Sequence, residues 1–204
     1  MEAYSIKQGE ELVKAARHAI ELCATTPKFD ERIIEKSIEG FKESKGIFIT
    51  IEHYPTRAVR GSIGITNPIA PVSKSLVEAA VSAAIDDPGY VPVSHQELDD
   101  ITVGVSVLSK PERIRGKTQD SIKRQVKVGR DGLIIKYGYH EGVLLPIVPI
   151  EQRWNKEQFL DNLCASANLP LHVWKTQDAV LYRFTAQLFR ELSPRGPIEE
   201  IAFG

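Results

Sequence analysis

Cysteine is scarce in this sequence, with two residues among 204. Cys23 and Cys164 fall on the apolar faces of predicted helices, and neither has another cysteine or a histidine at a ligand spacing. A disulfide-stabilised secreted domain or a structural zinc site needs more such residues than this. The pattern therefore indicates two buried free thiols.

Long apolar runs and an excess of one charge are also missing. No apolar run reaches the roughly 18 residues of a membrane-spanning helix, and no secretory signal is recognisable at the start. The 26 Lys and Arg residues nearly balance the 27 Asp and Glu residues, for a net charge of −1 at pH 7. A chain without a global positive field is not drawn to nucleic acid or to anionic lipid. We therefore expect a cytoplasmic protein that does not bind membranes.

The common signatures of metal, phosphate and nucleophile chemistry are absent as well. The sequence contains no CxxC, HExxH, EF-hand or P-loop spacing, so it predicts no metal and no cofactor. The pair Asp86-Asp87 closes a predicted helix, where negative charge is unfavourable, although a solvated turn is the plainer interpretation. His53, His95, His140 and His172 lie in unrelated loops and indicate no Ser/His hydrolase.

Hydrophobic periodicity predicts an α+β fold with antiparallel sheets and packed helices. Helices are expected from Gly9 to Ala24, from Asp30 to Phe41, from Pro71 to Pro88 and from Asn155 to Asn168, with a short capped turn at Ser94 to Glu97. Strands are expected at Ile47–Ile51, Val59–Ile65, Ile101–Leu108, a hairpin after Leu133, and a long strand at Ala179–Phe189. The order hairpin, helix, strand occurs twice, which suits an internal structural duplication within a single domain spanning residues 1–204.

One segment of the predicted first hairpin is a candidate site. In Arg60-Gly61-Ser62-Ile63-Gly64, two glycines flank a hydroxyl, which marks a backbone that bends or is approached closely. Backbone amides and the Arg60 guanidinium suit a carboxylate or phosphate. The alternative is a bulged strand in which the glycines allow close packing.

A second candidate surface is strongly basic. Eight Lys and Arg residues lie within 21 positions, namely Lys110, Arg113, Arg115, Lys117, Lys123, Arg124, Lys127 and Arg130. Such a stretch suits nucleic acid or an acidic partner, but no aromatic residue that would stack on bases occurs before Tyr137. A solvated basic face is the alternative.

Several ordered motifs carry a resemblance to a known family. They are Val59-Arg60-Gly61-Ser62-Ile63-Gly64, Asp86-Asp87-Pro88, Val105-Ser106-Val107-Leu108, Gly129-Arg130-Asp131-Gly132-Leu133, Leu144-Leu145-Pro146 with Val148, Glu151 and Trp154, and Arg183-Phe184-Thr185. Together they resemble the AMMECR family, named for a human chromosomal region linked to Alport syndrome, midface hypoplasia and elliptocytosis. The similarity is greatest to archaeal members and runs from the first helix to the tail.

The resemblance implies two intimately packed subdomains and a functional centre at the family's Arg-Gly-Cys-Ile-Gly motif, without implying a particular reaction. In prokaryotes the domain often accompanies a Memo-type protein and a radical S-adenosylmethionine protein, which implies a shared pathway. Proposals for the human member point instead to transcription, translation or repair.

Four positions depart from the family pattern. Ser62 replaces the family's cysteine, Gly89 an arginine, Gly104 a glutamate of archaeal relatives, and Ile147 a glutamine. If these positions lie close together, they formed one site. Their joint replacement then indicates a thiol chemistry that is altered or lost in this chain.

Taken together, the motifs predict a cleft between Arg60–Gly64 and the segment Leu145–Trp154. Its binding residues are predicted to be Arg60, Gly61, Ser62, Gly64, Asp87, Glu151 and Trp154, with Trp154 also anchoring the core. The cleft would serve an enzyme or enzyme accessory in a modification pathway and bind a small anionic ligand or a partner's chain. The alternative is a non-catalytic module that binds nucleic acid or protein through the basic stretch. We expect a monomer or weak dimer.

Overall fold

The computed structural model describes residues 3–26, 28–116 and 118–202. It confirms the α+β prediction, with helices and two sheets whose strand pairs are antiparallel. The helices are α1 (Ile6–Thr25), α2 (Arg32–Ser37), α3 (Val72–Ile85), α4 (Gln119–Gln125), α5 (Val148–Glu151) and α6 (Lys156–Ser166). The strands are β1 (Gly46–His53), β2 (Val59–Ile65), β3 (Ile101–Leu108), β4 (Glu112–Arg113), β5 (Gly132–Tyr137), β6 (His140–Leu144), β7 (Val180–Phe184), β8 (Ala186–Glu191) and β9 (Ile198–Ile201).

The chain divides into two compact units. The first contains the residues up to Leu108 together with Gln187–Ile201, and the second contains Ser109–Ala186. A five-stranded sheet of order β2-β1-β3-β8-β9 forms in the first unit, and a four-stranded sheet of order β4-β7-β5-β6 forms in the second. No helix of the described residues is long and apolar enough to cross a bilayer.

The core of the first unit lies between the five-stranded sheet and helices α1 and α3. Alternate residues of β1, namely Ile47, Ile49 and Ile51, are fully buried on this face because successive strand side chains point to opposite sides. Helix α1 begins earlier than predicted, since Ser5 and Gln8 form a reciprocal capping box.

The core of the second unit is built by α6 on the four-stranded sheet. Asn155 caps α6 as predicted, accepting hydrogen bonds from the backbone amides of Glu157 and Gln158. The fully buried tryptophan of this core is Trp174, and its indole donates to Asp161 at 2.7 Å. Trp154 is only partly buried and packs against the same core.

The two units share one strand arrangement, as the repeated order in the sequence suggests. In the first unit the hairpin β1-β2 is followed by α3 and then β3, which pairs with β1; in the second, β5-β6 is followed by α6 and then β7, which pairs with β5. In each unit, a glycine of the hairpin's second strand faces the helix. A Cβ added to Gly61 would contact Ala83, and a Cβ added to Gly142 would contact Ala167. This correspondence supports a structural duplication.

The prediction of one long late strand is wrong. Residues 180–191 form two strands, β7 in the four-stranded sheet and β8 in the five-stranded sheet. Ser109 and Thr185 exchange hydrogen bonds at the break, the amide of Ser109 donating to the Thr185 carbonyl and the amide of Thr185 to Ser109 Oγ. The alternation of apolar residues continues through the break, so the pattern does not reveal it. The second helix is also shorter than predicted, ending at Ser37.

Candidate functional site

Ser62 lies on the edge strand of the five-stranded sheet. It pairs with Thr50 of β1, which pairs in turn with Gly104 of β3. The Ser62 Oγ and Thr50 Oγ1 atoms are 3.4 Å apart. Because a Cβ on neighbouring Gly61 would point toward α3, Ser62, Thr50 and Gly104 share the opposite face of the sheet. We call this group the Ser62 face.

The backbone amide of Ser62 already holds an anion, which is the side chain of Asp87. The amide donates to Asp87 Oδ2 at 2.7 Å, and the amide of Gly89 donates to Oδ1 of the same carboxylate at 2.9 Å. Asp87 follows the end of α3, so the Asp86-Asp87-Pro88 motif places a carboxylate beside the edge strand. An edge-strand amide needs a partner, and this carboxylate supplies it.

Arg60 is buried and is held by a carboxylate from the turn at residues 95–97. Its Nε donates to Glu97 Oε1 at 2.6 Å, and its Nη2 donates to the Val91 carbonyl at 3.0 Å. The Tyr90 ring centre lies 5.8 Å from the guanidinium carbon. Nη1 is buried and has no hydrogen-bond partner among the described residues. The cation that the sequence predicts for an external anion is therefore largely neutralised within the chain.

The ion pair also shifts the titration of its carboxylate. Hydrogen bonding from Arg60, assisted by Ser94, lowers the pKa of Glu97 from 4.5 to about 2. A carboxyl group with a depressed pKa in the folded state stabilises the fold above its unfolded pKa.

We expect the Glu97 pair to make stability depend on pH. The free energy of unfolding should fall as the pH drops from about 4.5 toward about 2, because Glu97 must then be protonated. Glu97→Gln should flatten that part of the curve by about 1–2 kcal/mol. Urea denaturation across this range measures it, and an equally steep curve for Glu97→Gln would show that other carboxyl groups carry the effect.

Packing explains both glycines of the segment. A Cβ on Gly61 would lie 2.5 Å from the Ala83 carbonyl oxygen of α3. A Cβ on Gly64 would fall on the ring of Phe48, its partner on β1. These contacts support the interpretation that the two glycines allow close packing. Within this segment, the amide of Ser62 is the backbone donor that binds an anion, the carboxylate of Asp87.

Gly61→Ala is expected to lower the free energy of unfolding by about 1–3 kcal/mol, because the added methyl group meets backbone that cannot yield without moving α3. Gly104→Ala is the matched control on β3, where the nearest atom to a new Cβ is Leu188 Cδ1 at 3.4 Å, an ordinary contact. Chemical denaturation of both variants measures the difference. Equal stability of the two would mean that α3 does not approach β2 closely at Gly61.

The remaining predicted site residues belong to the second unit. Glu151 ends α5 and is exposed, while Trp154 lies before α6 and is partly buried. Arg60, Gly61, Ser62, Gly64 and Asp87 lie in the first unit. The cleft that joins the two sets therefore remains a prediction.

Three side chains of the second unit bring possible metal-ligand atoms within 4.8 Å of one another. Glu157, Asp161 and His172 are close enough to share a cation. However, Glu157 accepts from Lys123 at 2.6 Å and from Lys175 at 2.9 Å, and Asp161 accepts from Trp174. These carboxylates are committed to the fold, so the cluster does not support a metal centre.

The two cysteines are free thiols, as predicted. Burial is the largest effect on both: it raises the pKa of Cys23 to about 11 and raises that of Cys164 above its ordinary value. Cys164 is fully buried as predicted, but the prediction of burial is wrong for Cys23, which is partly exposed. Neither is poised as a nucleophile.

Comparison with known proteins decides the family. The AMMECR1 family profile matches residues 13–189. The chain belongs to the AMMECR1 family. It is 42% identical over 200 residues to a protein of Methanocaldococcus jannaschii, covering 98% of each chain. It is also similar to the crystal structure of uncharacterized protein PH0010 from Pyrococcus horikoshii, with a TM-score of 0.88, 41% identity, and coverage of 96% of this chain and 97% of that one.

Three of the four positions at which the resemblance implies a departure from the family pattern lie close together in the first unit. Ser62 and Gly104 flank Thr50 on adjacent strands, and Gly89 shares the Asp87 carboxylate with Ser62. Ile147 lies in the second unit. The proximity that the sequence argument assumed therefore holds for three positions.

Sequence reasoning missed two contributors to this region, Thr50 and Glu97 as the partner of Arg60. The capping box of Ser94 and Glu97 is recognisable in the sequence and is present, but the same carboxylate also binds Arg60. Thr50 is harder to recognise in the sequence. A threonine that alternates with isoleucines indicates only that it lies on the face of the strand opposite the isoleucines, and it does not indicate a site.

Proposed function

We propose that this AMMECR1 protein is an enzyme or enzyme accessory of a modification pathway that binds a small anionic ligand at the Ser62 amide. One observation carries the proposal: the amides of Ser62 and Gly89 already converge on a carboxylate, that of Asp87. Two backbone donors aimed at one anion form a preorganised site for a carboxylate or phosphate oxygen.

The Asp87 carboxylate is placed so that an external anion can replace it. Asp87 is half-buried and lies in the connection that follows α3, while the Ser62 amide is fixed by the pairing of β2 with β1. A ligand carboxylate that takes the place of Asp87 gains the same two hydrogen bonds. Asp87 would then act as a competitor that is released when the ligand binds.

The hydroxyl of Ser62 is not equipped for nucleophilic attack. Its hydrogen-bond neighbour among the described residues is Thr50 Oγ1 at 3.4 Å, and no imidazole or carboxylate accepts its proton there. A serine nucleophile needs such a base. We therefore propose that Ser62 contributes to binding and that the thiol chemistry implied by the family resemblance is altered or lost here.

Thermal denaturation with a panel of small carboxylates and phosphate esters tests the proposal. A ligand that binds only the folded protein must raise the melting temperature, and the shift grows with ligand concentration. The effect should grow in Asp87→Ala, which lacks the internal competitor, and should be smaller in Asp87→Asn. A panel without any concentration-dependent shift in Asp87→Ala would refute the proposed site.

The alternative function, binding of nucleic acid or protein through the basic stretch, has weaker support. Lys123 is paired with Glu157 and Arg130 with Asp131, which removes two of its cations. Lys117 lies outside the described residues. Pathway partners of the Memo or radical S-adenosylmethionine type are proposed only on the family resemblance, and a cytoplasmic location only on the sequence features given above.

A further inference from the structure

A cavity of about 480 Å³ opens within the second unit, and none of its lining residues belongs to the Ser62 face. Its volume falls in the range of roughly 300–1,000 Å³ that is typical of small-molecule sites. Ile114, Ile122 and Leu181, all members of the second unit's core, form its apolar part. Such a surface accommodates the organic body of a ligand.

Three cations line the same cavity, and none of its lining residues among those described is acidic. Lys175 is compensated from outside by Glu157 at 2.9 Å. Arg113 and Arg115 are exposed, and their guanidinium groups form no ion pair within the described chain. The cavity therefore carries two uncompensated positive charges.

The backbone that bears these arginines is held in place. The Ile114 amide donates to the Leu181 carbonyl at 2.9 Å, which fixes the wall to β7. On the other side, Gln125 of α4 accepts from the Arg115 amide and donates to the Arg115 carbonyl. A fixed backbone reduces the entropy lost when a ligand is bound.

We propose that this cavity binds a phosphorylated small molecule, with the phosphate held by Arg113 and Arg115 and the organic body packed on Ile114, Ile122 and Leu181. Two guanidinium groups match the charge of a phosphate monoester dianion and bind its oxygens through paired hydrogen bonds. A concave apolar surface favours a single small ligand over a polymer strand. No aromatic residue that would stack a nucleic-acid base lines the cavity in the described chain.

Fluorescence titration with 4-methylumbelliferyl phosphate tests this proposal, since the probe joins a phosphate to a planar apolar body. We expect saturable binding, competition by AMP, and at least about tenfold weaker binding of 4-methylumbelliferone, which lacks the phosphate. Arg113→Ala/Arg115→Ala should weaken probe binding at least about tenfold without lowering the melting temperature, because both side chains are exposed.

Arg124→Ala is the matched control, since Arg124 is exposed on α4 but does not line the cavity. It should bind the probe like the parent protein. Absence of saturable binding at millimolar probe and AMP would overturn the proposal, as would equal affinity in the double variant. Tight binding of single-stranded RNA, without binding of the probe or AMP, would also overturn the proposal. The basic residues would then form a nucleic-acid surface.

Discussion

Arg60→Ala is expected to lower the free energy of unfolding by about 2–4 kcal/mol, more than a surface ion pair would. The guanidinium is buried and bonds to Glu97 and to the Val91 carbonyl, so its removal leaves that carbonyl without this donor and leaves Glu97 with only its Ser94 donors. The backbone from Tyr90 to Glu97 should loosen as a result. Urea denaturation gives the stability change, and hydrogen exchange at the amide of Val93, which donates to the Ala84 carbonyl, reports the local opening.

Arg32→Ala is the matched control for this prediction. Arg32 pairs with Asp30 at 2.8 Å, but its side chain is 84% exposed, and the change should cost no more than about 0.5 kcal/mol. A similar loss in both variants would show that the Arg60 pair behaves as a surface interaction and does not fix the connection that follows α3.

Ser62→Cys is expected to create the most reactive thiol of the protein, alkylated roughly 100-fold faster at neutral pH than Cys23. The thiolate is the reactive form, and the pKa of Cys23 is raised to about 11, while Cys164 is fully buried. Position 62 is half-buried on an edge strand, and we expect a thiol there to be less desolvated than that of Cys23. Brief iodoacetamide treatment followed by mass spectrometry of tryptic peptides compares the three thiols directly.

The structure changes one part of that expectation. A free guanidinium at Arg60 would favour a thiolate at position 62, but Arg60 is neutralised by Glu97, and the Asp87 carboxylate lies beside the Ser62 amide. Removing Arg60 should therefore change the alkylation rate little, whereas Asp87→Asn should raise it. Equal labelling of all three cysteines would show that a thiol at position 62 is no more reactive than Cys23 and Cys164.

Local features of this fold can be predicted from its sequence because neighbouring residues determine them. The hairpin of β1 and β2 follows from alternating isoleucines and a turn, and the Asn155 cap follows from one side chain bonding to nearby amides. The α+β class follows from the order of these elements. The duplicated strand order is recognisable for the same reason.

Contacts between distant segments are not predictable in this way. No pattern links Arg60 to Glu97 or Ser62 to Asp87, because each pair forms only when the connection after α3 folds against the edge strand. The break at Thr185 escapes detection since both strands keep the same alternation. The cavity is assembled from β4, α4, β7 and the Val173–Lys175 turn, so its cations are scattered in the sequence.

The central claim is that the Ser62 amide is an anion-binding donor that Asp87 occupies. An NMR titration of Asp87→Ala with formate, with sodium chloride as the ionic-strength control, tests it most directly. Formate should move the amide protons of Ser62 and Gly89 downfield in a saturable way, while the amide of Gly138, in the exposed β5-β6 turn, stays in place. Shifts of the same size at all three amides, or none at Ser62, would contradict the account.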